Sequence, residues 1–372
     1  MSDVSGYLDT ASSEPLHPAA RDTLLAALDR GYADPRRLHK PARDARLLLD
    51  NARAVVAECL SVRADEVSFT ASGTAAVHLG LLGLAQVRRH RGDGGNRIVY
   101  SEIEHSAVRH AADWGGTSRL VGADARGRVD LAALADLAGE QPGTAACALQ
   151  TANHEVGTIQ GVADLQLPQG VPLFVDARAS MGRLPLPEQW SALAGSAHKW
   201  GGPAGVGILL VRRGTRWENP FPEDDRVDHR TSGFENVPAA LAAAAALQAV
   251  VAERDEVNAR QHVLVDRIRA AAAALPDTEV VGDPVDRLPH LVTFSCLYVN
   301  GEALVNELDR RGFQVASGSA CTASTLEPSH VLAAMGALTH GNVRVSLTRE
   351  TTESEVEAFC AALPDVVEGL RG

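Results

Sequence analysis

Two charged residues stand at positions where the chain could hold a ligand. Lys199 lies among small residues in the segment GSAHKWGGPAGVG, directly before a glycine-rich turn and a predicted strand. A single lysine is ordinarily an exposed loop residue, but small neighbours also let a large group approach the backbone. Asp176 ends the predicted strand PLFVDA, and ligands of open α/β sheets bind outside the carboxyl ends of the strands. The aspartate is therefore either a turn residue or an acid that keeps a ring nitrogen protonated.

A third segment has the composition of a phosphate site. The sequence EVSFTASGTAAV predicts a strand, a small-residue turn and a helix that begins near Thr74. Backbone N–H groups at a helix start, here Gly73 and Thr74, bind phosphate readily, although a threonine there is more often only an N-cap. No GK[ST] follows, so the segment is not a Walker loop. Ser196 and His198, on the same loop as Lys199, can donate to the same phosphate.

These groups together match the requirements of one cofactor. A lysine that can form a Schiff base, an acid for a ring nitrogen and a phosphate cradle at strand ends are what pyridoxal 5′-phosphate (PLP) needs. The sequence therefore predicts a PLP-dependent enzyme.

Six segments resemble the cysteine desulfurases of the class-V aminotransferase group. They are SEIEHSAV, ANHEVGTIQ, FVDA, SAHKWGGPAGVG, SGSACTASTLEPSHVL and VRVSL, and the resemblance runs from Tyr7 to the last predicted helix. It implies that Lys199 forms the covalent link to PLP, that Asp176 pairs with the pyridine nitrogen, and that His105 stacks on the ring and carries protons. Without the motif, a histidine after a strand is more often an incidental loop residue.

The resemblance also implies a substrate site. Arg344, in NVRVSL, would hold the α-carboxylate of the substrate, and Asn153 is assigned to substrate binding with it. A guanidinium on an otherwise apolar strand needs a partner because an unpaired buried charge is costly. A bidentate grip on a carboxylate is one such partner, and a structural ion pair is the alternative.

One cysteine differs from the others in its surroundings. Cys321 lies in SGSACTASTLEPSH, a small-residue segment without the apolar periodicity that would bury a thiol. In the enzymes that the chain resembles, this cysteine attacks the substrate sulfur and becomes a persulfide, which requires the thiolate form. The other four cysteines, in helical or strand patterns, are expected to be buried and inert; they are Cys59, Cys147, Cys296 and Cys360.

Three positions depart from the family pattern. His154 stands where the family usually has an asparagine that donates to the 3′-oxygen of the cofactor, and Ala179 replaces a glutamine that reaches the same oxygen. Phe234 takes the place of a threonine whose hydroxyl crosses the dimer interface to the phosphate. His154 can still donate to the 3′-oxygen, and Arg230 is a candidate for the phosphate contact.

Short apolar strands alternate with helices along most of the chain. Strands are predicted at 66–70, 97–101, 118–124, 144–151, 172–177 and 205–213, and helices at 42–60, from 74, at 107–114 and at 129–139. This alternation is typical of a mainly parallel sheet with helices on both faces. After Pro238 a long helix is predicted to about residue 275, followed by a strand at 291–295, a helix at 302–311 and a strand at 342–347.

The predicted fold class is α/β, the PLP-dependent transferase fold type I. A large PLP-binding domain, with a mainly parallel sheet sandwiched by helices, is predicted over 14–249. A smaller α+β domain, formed by 1–13 and 250–372, is predicted to carry the loop with Cys321. A length of 372 residues suits two domains.

Composition narrows the range of partners. The formal net charge of −12 argues against direct binding of nucleic acid. Five cysteines without a CxxC pair suit a reducing compartment. The N-terminal residues do not have the pattern of a secretory signal, and the longest apolar stretch, from Ala239, falls below the ~18–20 residues that cross a bilayer. We therefore expect a cytoplasmic protein without a membrane partner or a metal.

The predicted function is that of a homodimeric cysteine desulfurase. Such an enzyme converts L-cysteine to L-alanine and passes sulfur, carried as a persulfide on Cys321, to an acceptor protein. A selenocysteine lyase or a cysteine C–S lyase of the same fold is one alternative. A catalytically weak scaffold that binds partners is another, suggested by the three departures.

Overall fold

Strands and helices alternate through the first part of the chain. The computed structural model describes residues 6–91, 95–141, 143–317 and 328–371. In chain order its strands are β1 (Gly6–Tyr7), β2 (Val67–Thr70), β3 (Arg97–Ser101), β4 (Thr117–Val121), β5 (Thr144–Gln150), β6 (Leu173–Asp176), β7 (Ala192–Ser196), β8 (Gly207–Val211), β9 (Thr278–Val281), β10 (Leu291–Cys296), β11 (Phe313–Gln314) and β12 (Asn342–Ser346). Its α-helices are α1 (Pro18–Leu28), α2 (Lys40–Leu60), α3 (Gly73–Arg91), α4 (Ser106–Gly115), α5 (Leu131–Gly139), α6 (Val237–Ala273), α7 (Gly301–Arg310), α8 (His330–Ala334) and α9 (Glu353–Arg371).

The largest sheet has seven strands in the order β2-β8-β7-β6-β5-β3-β4. The strand pairs from β4 to β7 are parallel, and β8 runs antiparallel to both β7 and β2. Every residue of β5, β6, β7 and β8 is buried, as expected for a parallel sheet covered on both faces. The predicted α/β class with a mainly parallel sheet is confirmed.

The carboxyl ends of three adjacent strands bring polar side chains together. β5 ends at Gln150, β6 at Asp176 and β7 at Ser196. Gln150 and Asp176 lie opposite each other in the parallel register. The loops that follow these strands therefore meet at one edge of the sheet, which is where open α/β sheets bind ligands.

Four strands have no counterpart among the predicted elements: β1, β7, β9 and β11. β7 has the sequence ALAGS, which contains neither a β-branched nor an aromatic residue, so local propensity does not indicate a strand. It forms because β6 pairs with it on one side and β8 on the other. β9, with the sequence TEVV, is an edge strand of four residues. By contrast, β3 confirms the predicted strand at 97–101 residue for residue.

Helix α6 runs for 37 residues and connects the two parts of the molecule. Its first turn is capped by Asn236, whose side chain accepts a hydrogen bond from the Ala239 N–H, and Pro238 lies in that turn, where no amide hydrogen is needed. By length and composition alone the helix could cross a membrane, a property that core helices of soluble proteins share. Half of its most apolar 18-residue stretch is buried within the fold.

The second part of the molecule is built on a small antiparallel sheet of order β12-β10-β9. Its apolar cluster contains Leu8, Leu264, Phe294 and Phe359, and it is separate from the clusters around the large sheet. Leu8 joins this cluster because β1 pairs with β11, so the first described residues pack with the C-terminal part. The exact boundaries at 13/14 and 249/250 stay a prediction.

Candidate active site

A cavity of about 160 Å³ lies at the edge of the large sheet where β5, β6 and β7 end. Eight of the residues predicted from the sequence line it: Gly73, Thr74, His105, His154, Asp176, Ser196, His198 and Lys199. Five further residues complete the lining: Ser72, Gln150, Ala152, Arg178 and Ala179. The fold therefore brings segments that are more than 120 residues apart in the sequence to one site.

The buried Asp176 is held by the guanidinium of Arg178, a residue that the sequence motifs do not indicate. Arg178 donates from Nε to Oδ1 at 2.9 Å and from Nη2 to Oδ2 at 2.5 Å, and its backbone N–H donates to Oδ1 at 3.0 Å. Burial alone would raise the pKa of Asp176, but the charge and hydrogen bonds of Arg178 outweigh it and lower the pKa. The carboxylate therefore stays ionised at neutral pH.

Lys199 follows β7 on a short 3₁₀ turn, Ala197–Lys199. Its Nζ donates a hydrogen bond to the carbonyl of Ala11. Small residues are needed around this turn: Gly201 has φ +77°, and a Cβ on Gly202 would lie 2.9 Å from the Cβ of Ala197. The glycines after Lys199 thus let the turn pack closely against its surroundings.

The N-terminus of α3 forms one wall of the cavity. The Ser72 hydroxyl accepts a hydrogen bond from the Ala75 N–H at 3.0 Å and caps the helix. A Cβ on Gly73 would lie 2.6 Å from Ser196 Oγ and 2.9 Å from Arg178 Cδ, so only glycine lets both side chains approach the first turn. Ser72, Gly73 and Ser196 therefore form one surface, the phosphate wall, where backbone N–H groups favour an anion.

His198 and His105 are neutral side chains of the same cavity. Burial, with the charges of Lys199 and Arg178, lowers the pKa of His198 to about 4, and its Nδ1 lies 3.2 Å from Ser196 Oγ. Burial and then the Arg178 charge lower the pKa of His105 to about 3. His105 caps α4, because its Nδ1 accepts from the Ala107 N–H at 3.0 Å. In this tautomer Nε2 carries the proton.

His154 places a buried nitrogen in the cavity wall. Its ring centroid lies 4.8 Å from that of His105. Its Nδ1 is buried and has no hydrogen-bond partner within the described residues, and its Nε2 lies 3.6 Å from Glu155 Oε1. Burial, and then the neighbouring His105, holds the pKa of His154 well below its ordinary value, so the ring is neutral. Ala179, which lines the same cavity, has no polar side-chain group to offer.

Two buried glutamates lie beside the cavity. Glu104 Oε1 accepts from the Gln150 N–H at 2.7 Å, and burial followed by the charge of Asp176 raises the pKa of Glu104 to about 8. Glu155 accepts from the Ser329 hydroxyl at 2.5 Å, and burial raises its pKa to about 7. His330, next to Ser329, lies 2.9 Å through Nε2 from the Glu104 carbonyl. The start of α8 is therefore attached beside the site.

Arg344 and Asn153 do not line the cavity. Arg344 donates to Asp9 at 2.9 Å and to Ser12 at 2.7 Å, which is the structural ion pair considered as the alternative. It also donates to the His154 carbonyl at 3.2 Å, and its Nε is buried without a partner among the described residues. Both assignments to substrate binding stay predictions.

The Asn153 side chain is engaged within its own turn. Its Oδ1 accepts from the N–H groups of Glu155 and Val156 at 2.8 and 2.9 Å, and its Nδ2 donates to the Ile103 carbonyl at 3.0 Å. The structure therefore gives Asn153 the task of shaping the turn that presents His154.

Phe234 and Arg230 also lie away from this cavity. The Phe234 side chain is 59% exposed, and its ring centroid lies 5.1 Å from Cζ of the Arg226 guanidinium. It lines a separate groove of about 550 Å³ that includes Thr70 and His78. Arg230 donates to the Asp65 carbonyl and the Ser68 hydroxyl, so within its own chain it does not reach the phosphate wall.

Of the four described cysteines, Cys147 and Cys296 are buried, as predicted, but Cys59 and Cys360 are only half-buried because they lie on partly exposed faces of α2 and α9. All four are free, and burial raises the pKa of each, that of Cys147 to about 12. A raised pKa keeps a thiol protonated and unreactive at neutral pH. Cys321 lies outside the described residues, so its assignment stays a prediction. The described residues hold no group of three side chains that could bind a metal ion.

Comparison with known proteins gives the context of this site. The family model for aminotransferase class-V matches residues 6–359. An IscS-like cysteine desulfurase of Mycobacterium tuberculosis is 35% identical over 98% of this chain and 97% of its own length. A cysteine desulfurase of Trichormus azollae is 32% identical over 98% of this chain and 93% of its own length.

The solved structures agree with the sequence relatives. The structure of a NifS-like protein superposes with a TM-score of 0.89 at 26% identity, covering 98% of this chain and 100% of that one. Sequence similarity and structural similarity to these proteins therefore both extend over nearly the whole chain. The chain belongs to the cysteine desulfurase family of the class-V aminotransferases.

Proposed function

We propose that this protein is a PLP-dependent cysteine desulfurase that converts L-cysteine to L-alanine and transfers the sulfur to an acceptor protein. The observation that carries the proposal is the meeting of Lys199, Asp176 and the N-terminus of α3 around one cavity. These three groups come from distant segments, and PLP needs all three. Family membership supports the same reaction.

The residues around the cavity fit PLP. Gly73 leaves the space that a Cβ would fill beside Ser196, and His154 Nδ1 is a buried polar atom without a partner within the described residues. The phosphate would be held by Gly73, Thr74, Ser196 and His198. The ring would be held by Asp176, His105 and His154, and Lys199 would bind the cofactor covalently. When bound, PLP supplies an electron sink for the carbanion formed at the substrate α-carbon.

Lys199 and His105 are proposed to carry out the proton transfers. The Lys199 amine acts as the base that takes the proton from the α-carbon of cysteine, a role for which it must lie beside the cofactor. His105 is neutral because burial lowers its pKa to about 3. A neutral imidazole can pack on an aromatic ring, and because Nδ1 of His105 accepts from the Ala107 N–H, Nε2 is the nitrogen that would exchange a proton.

Arg344 is proposed to hold the substrate carboxylate. Its buried Nε has no partner within the described residues, and its Nη1 reaches the carbonyl of His154, a residue of the cavity wall. Asp9 and Ser12 accept from Nη2, which leaves Nε and one N–H of Nη1 as donors for a carboxylate. Arginine is suited to this task because its planar donors match a carboxylate.

Cys321 is proposed as the sulfur acceptor. Its thiolate attacks the substrate sulfur, an S–S bond forms, and the C–S bond breaks with its electron pair passing to the carbon skeleton, which is then protonated to alanine. The residues on both sides of its segment contact the surroundings of the cavity. Ala316 exchanges backbone hydrogen bonds with Arg344, and Ser329 donates to Glu155.

A homodimer is proposed from the exposed apolar surface. Five large apolar side chains of the N-terminal region are more than half exposed: Leu25, Leu28, Tyr32, Leu38 and Leu47. All five fall within residues 25–47, and large exposed apolar side chains are typical of interaction surfaces. Light scattering of the purified protein would test the dimer.

A cytoplasmic location is proposed from the five cysteines without a CxxC pair.

The function is tested by colour and product. We expect the purified protein to show visible absorption with PLP and to produce alanine from L-cysteine, whereas Lys199→Ala should be folded, by circular dichroism, but inactive. Pyruvate with free sulfide would instead indicate a C–S lyase, and turnover of selenocysteine alone would indicate a selenocysteine lyase. A wild-type protein that neither binds PLP nor consumes cysteine would be the scaffold considered above.

A further inference from the structure

Arg178 is a buried guanidinium in the wall of the candidate site. It follows β6 by two residues and is 8% exposed. Both of its side-chain hydrogen bonds within the described residues go to Asp176, one to each carboxylate oxygen. A guanidinium has five N–H donors, so three are left for another acceptor in the cavity that the side chain lines.

The stem of Arg178 passes the start of helix α3. A Cβ built on Gly73 would lie 2.9 Å from Arg178 Cδ and 2.6 Å from Ser196 Oγ. The side chain therefore lies against the start of α3 through its stem and contacts the acid at the end of β6 through its guanidinium. Its charge also contributes, after burial, to the lowered pKa of His78 and of His105.

The charges around the cavity favour an anionic ligand. Lys199 and Arg178 are cations, and Asp176 is the one carboxylate among the lining residues. The pKa of His105 is lowered to about 3 and that of His198 to about 4, so both histidines are neutral at pH 7. The lining as a whole therefore carries an excess positive charge, which an ionised phosphate would balance.

We propose that Arg178 binds the phosphate of the cofactor while it also holds Asp176. One side chain then links the phosphate wall to the acid that faces the ring, and it supplies from within the chain a phosphate contact that Phe234, on the separate groove, does not provide. Arginine suits this task because its planar fork matches carboxylate and phosphate alike. The inference rests on the proposed function, because it assumes that PLP occupies this cavity.

The test compares PLP with pyridoxal, which has the same ring and aldehyde but no phosphate. Titrations followed by absorbance give the dissociation constant of each for wild type and for Arg178→Ala. Loss of Arg178 also leaves Asp176 without its partner, but that change affects both ligands, so it cancels in the ratio of the two constants. We expect Arg178→Ala to lower the preference for PLP over pyridoxal by about tenfold or more, the usual effect of losing a charged hydrogen bond. Arg178→Lys keeps the charge but loses the planar pair of donors. Its preference for PLP over pyridoxal should therefore lie between those of wild type and Arg178→Ala.

A matched control is available five residues further along the chain. Arg183 is 7% exposed and donates to the buried Glu14 at 2.6 Å, but it does not line the cavity. Arg183→Ala removes a comparable buried ion pair, so it should lower the melting temperature without changing the PLP-to-pyridoxal ratio. Inorganic phosphate gives a second readout: it should raise the melting temperature of wild type and of Arg183→Ala but not of Arg178→Ala.

Two results would overturn the assignment. If Arg178→Ala kept the wild-type ratio, or bound PLP more tightly than wild type, the guanidinium would only accompany Asp176 or obstruct the ring. A wild-type protein that bound neither PLP nor pyridoxal would contradict the proposed function itself. The two failures are thus distinguishable, because the first requires a wild type that binds PLP.

Discussion

Two side chains that line the cavity differ in how well their polar atoms are satisfied. Asp176 accepts three hydrogen bonds from Arg178. His154 Nδ1 has no partner within the described residues, although it is buried. A buried polar atom without a partner costs free energy, so a ligand atom that bonds to it gains affinity. Ala179, on the same wall, adds nothing to this polar surface.

Replacing Ala179 tests whether the 3′-oxygen of the cofactor lacks a donor. Ala179→Gln restores an amide at a position that lines the cavity. If the oxygen is under-bonded, PLP should bind about 1 kcal/mol more tightly, or roughly fivefold. A fluorescence titration of wild type and variant measures the change.

Unchanged or weaker binding in Ala179→Gln would show that another group already serves the oxygen. His154 is the candidate, so the companion variant is His154→Ala. His90→Ala is its control, because His90 is exposed and its Nδ1 contacts Glu218 instead. A loss of PLP affinity in His154→Ala but not in His90→Ala would assign the contact.

Single residues of the site were predictable where the family motif includes them. Lys199, Asp176 and His105 stand in such motifs, and all three line one cavity. Arg178 was not predictable in the same way, because its importance comes from burial and from its pairing with Asp176, which a sequence does not display. The available signal was a charged residue two positions after an aspartate that ends a strand.

At the level of elements, the phosphate wall depends on how closely β7 and the loop after β6 approach the start of α3. Gly73→Ala would place a Cβ 2.6 Å from Ser196 Oγ and 2.9 Å from Arg178 Cδ. Overpacking of this kind costs about 1–3 kcal/mol, so we expect PLP affinity to fall about tenfold. An equilibrium titration with PLP measures it.

Gly122→Ala provides the control for Gly73→Ala. A Cβ on Gly122, in the loop after β4, has no atom within 4 Å. This variant should bind PLP as wild type does. Equal affinity of all three proteins would mean that the start of α3 does not contact the phosphate.

Glu104 connects the turn after β3 to the end of β5, and it makes this connection sensitive to pH. Its Oε1 accepts from the Ser101 hydroxyl and the Gln150 N–H. Burial raises the pKa of Glu104 from 4.5 to about 8, with a further contribution from Asp176. The folded chain therefore holds this proton more tightly than the unfolded chain, and stability that is present below pH 4.5 is lost as the pH rises towards 8.

Glu104→Gln should remove that pH dependence while keeping an oxygen for the Gln150 N–H. Wild type should lose on the order of 2 kcal/mol of unfolding free energy between pH 6 and pH 8 that the variant retains. Denaturant unfolding at both pH values measures the difference. Glu102→Gln, at a half-buried position two residues away, should behave as wild type. A wild type whose stability is unchanged over this range would contradict the raised pKa of Glu104.

Elements were predictable where local sequence and tertiary structure agree. The strand RIVYS, with two β-branched residues and a tyrosine, forms β3 over the predicted residues. The strand ALAGS, β7, forms only because it lies between β6 and β8. Since Ser196 ends this strand and Lys199 follows it, the element that positions the lysine was the one with the weakest local signal.

At the level of the whole molecule, the proposed chemistry needs both parts of the fold. The large sheet holds Lys199 and Asp176 at its edge. The C-terminal part provides Arg344, on β12, and the residues on either side of the Cys321 segment. Removing the α-proton and taking up the sulfur are therefore assigned to different parts of the chain, and a variant can separate the two steps.

Cys321→Ser is the variant that separates them. PLP binding and removal of the α-proton depend on Lys199, Asp176 and the ring, so this variant should keep its visible absorption and still respond spectrally to cysteine. It should produce little alanine and carry no persulfide, because a serine hydroxyl is a far poorer acceptor for sulfur than a thiolate. Alanine assay and intact mass after incubation with cysteine measure both.

Cys147→Ser is the control, since burial raises the pKa of that thiol to about 12. Undiminished alanine from Cys321→Ser, or a persulfide on another cysteine, would contradict the assignment and favour a lyase that releases sulfide directly.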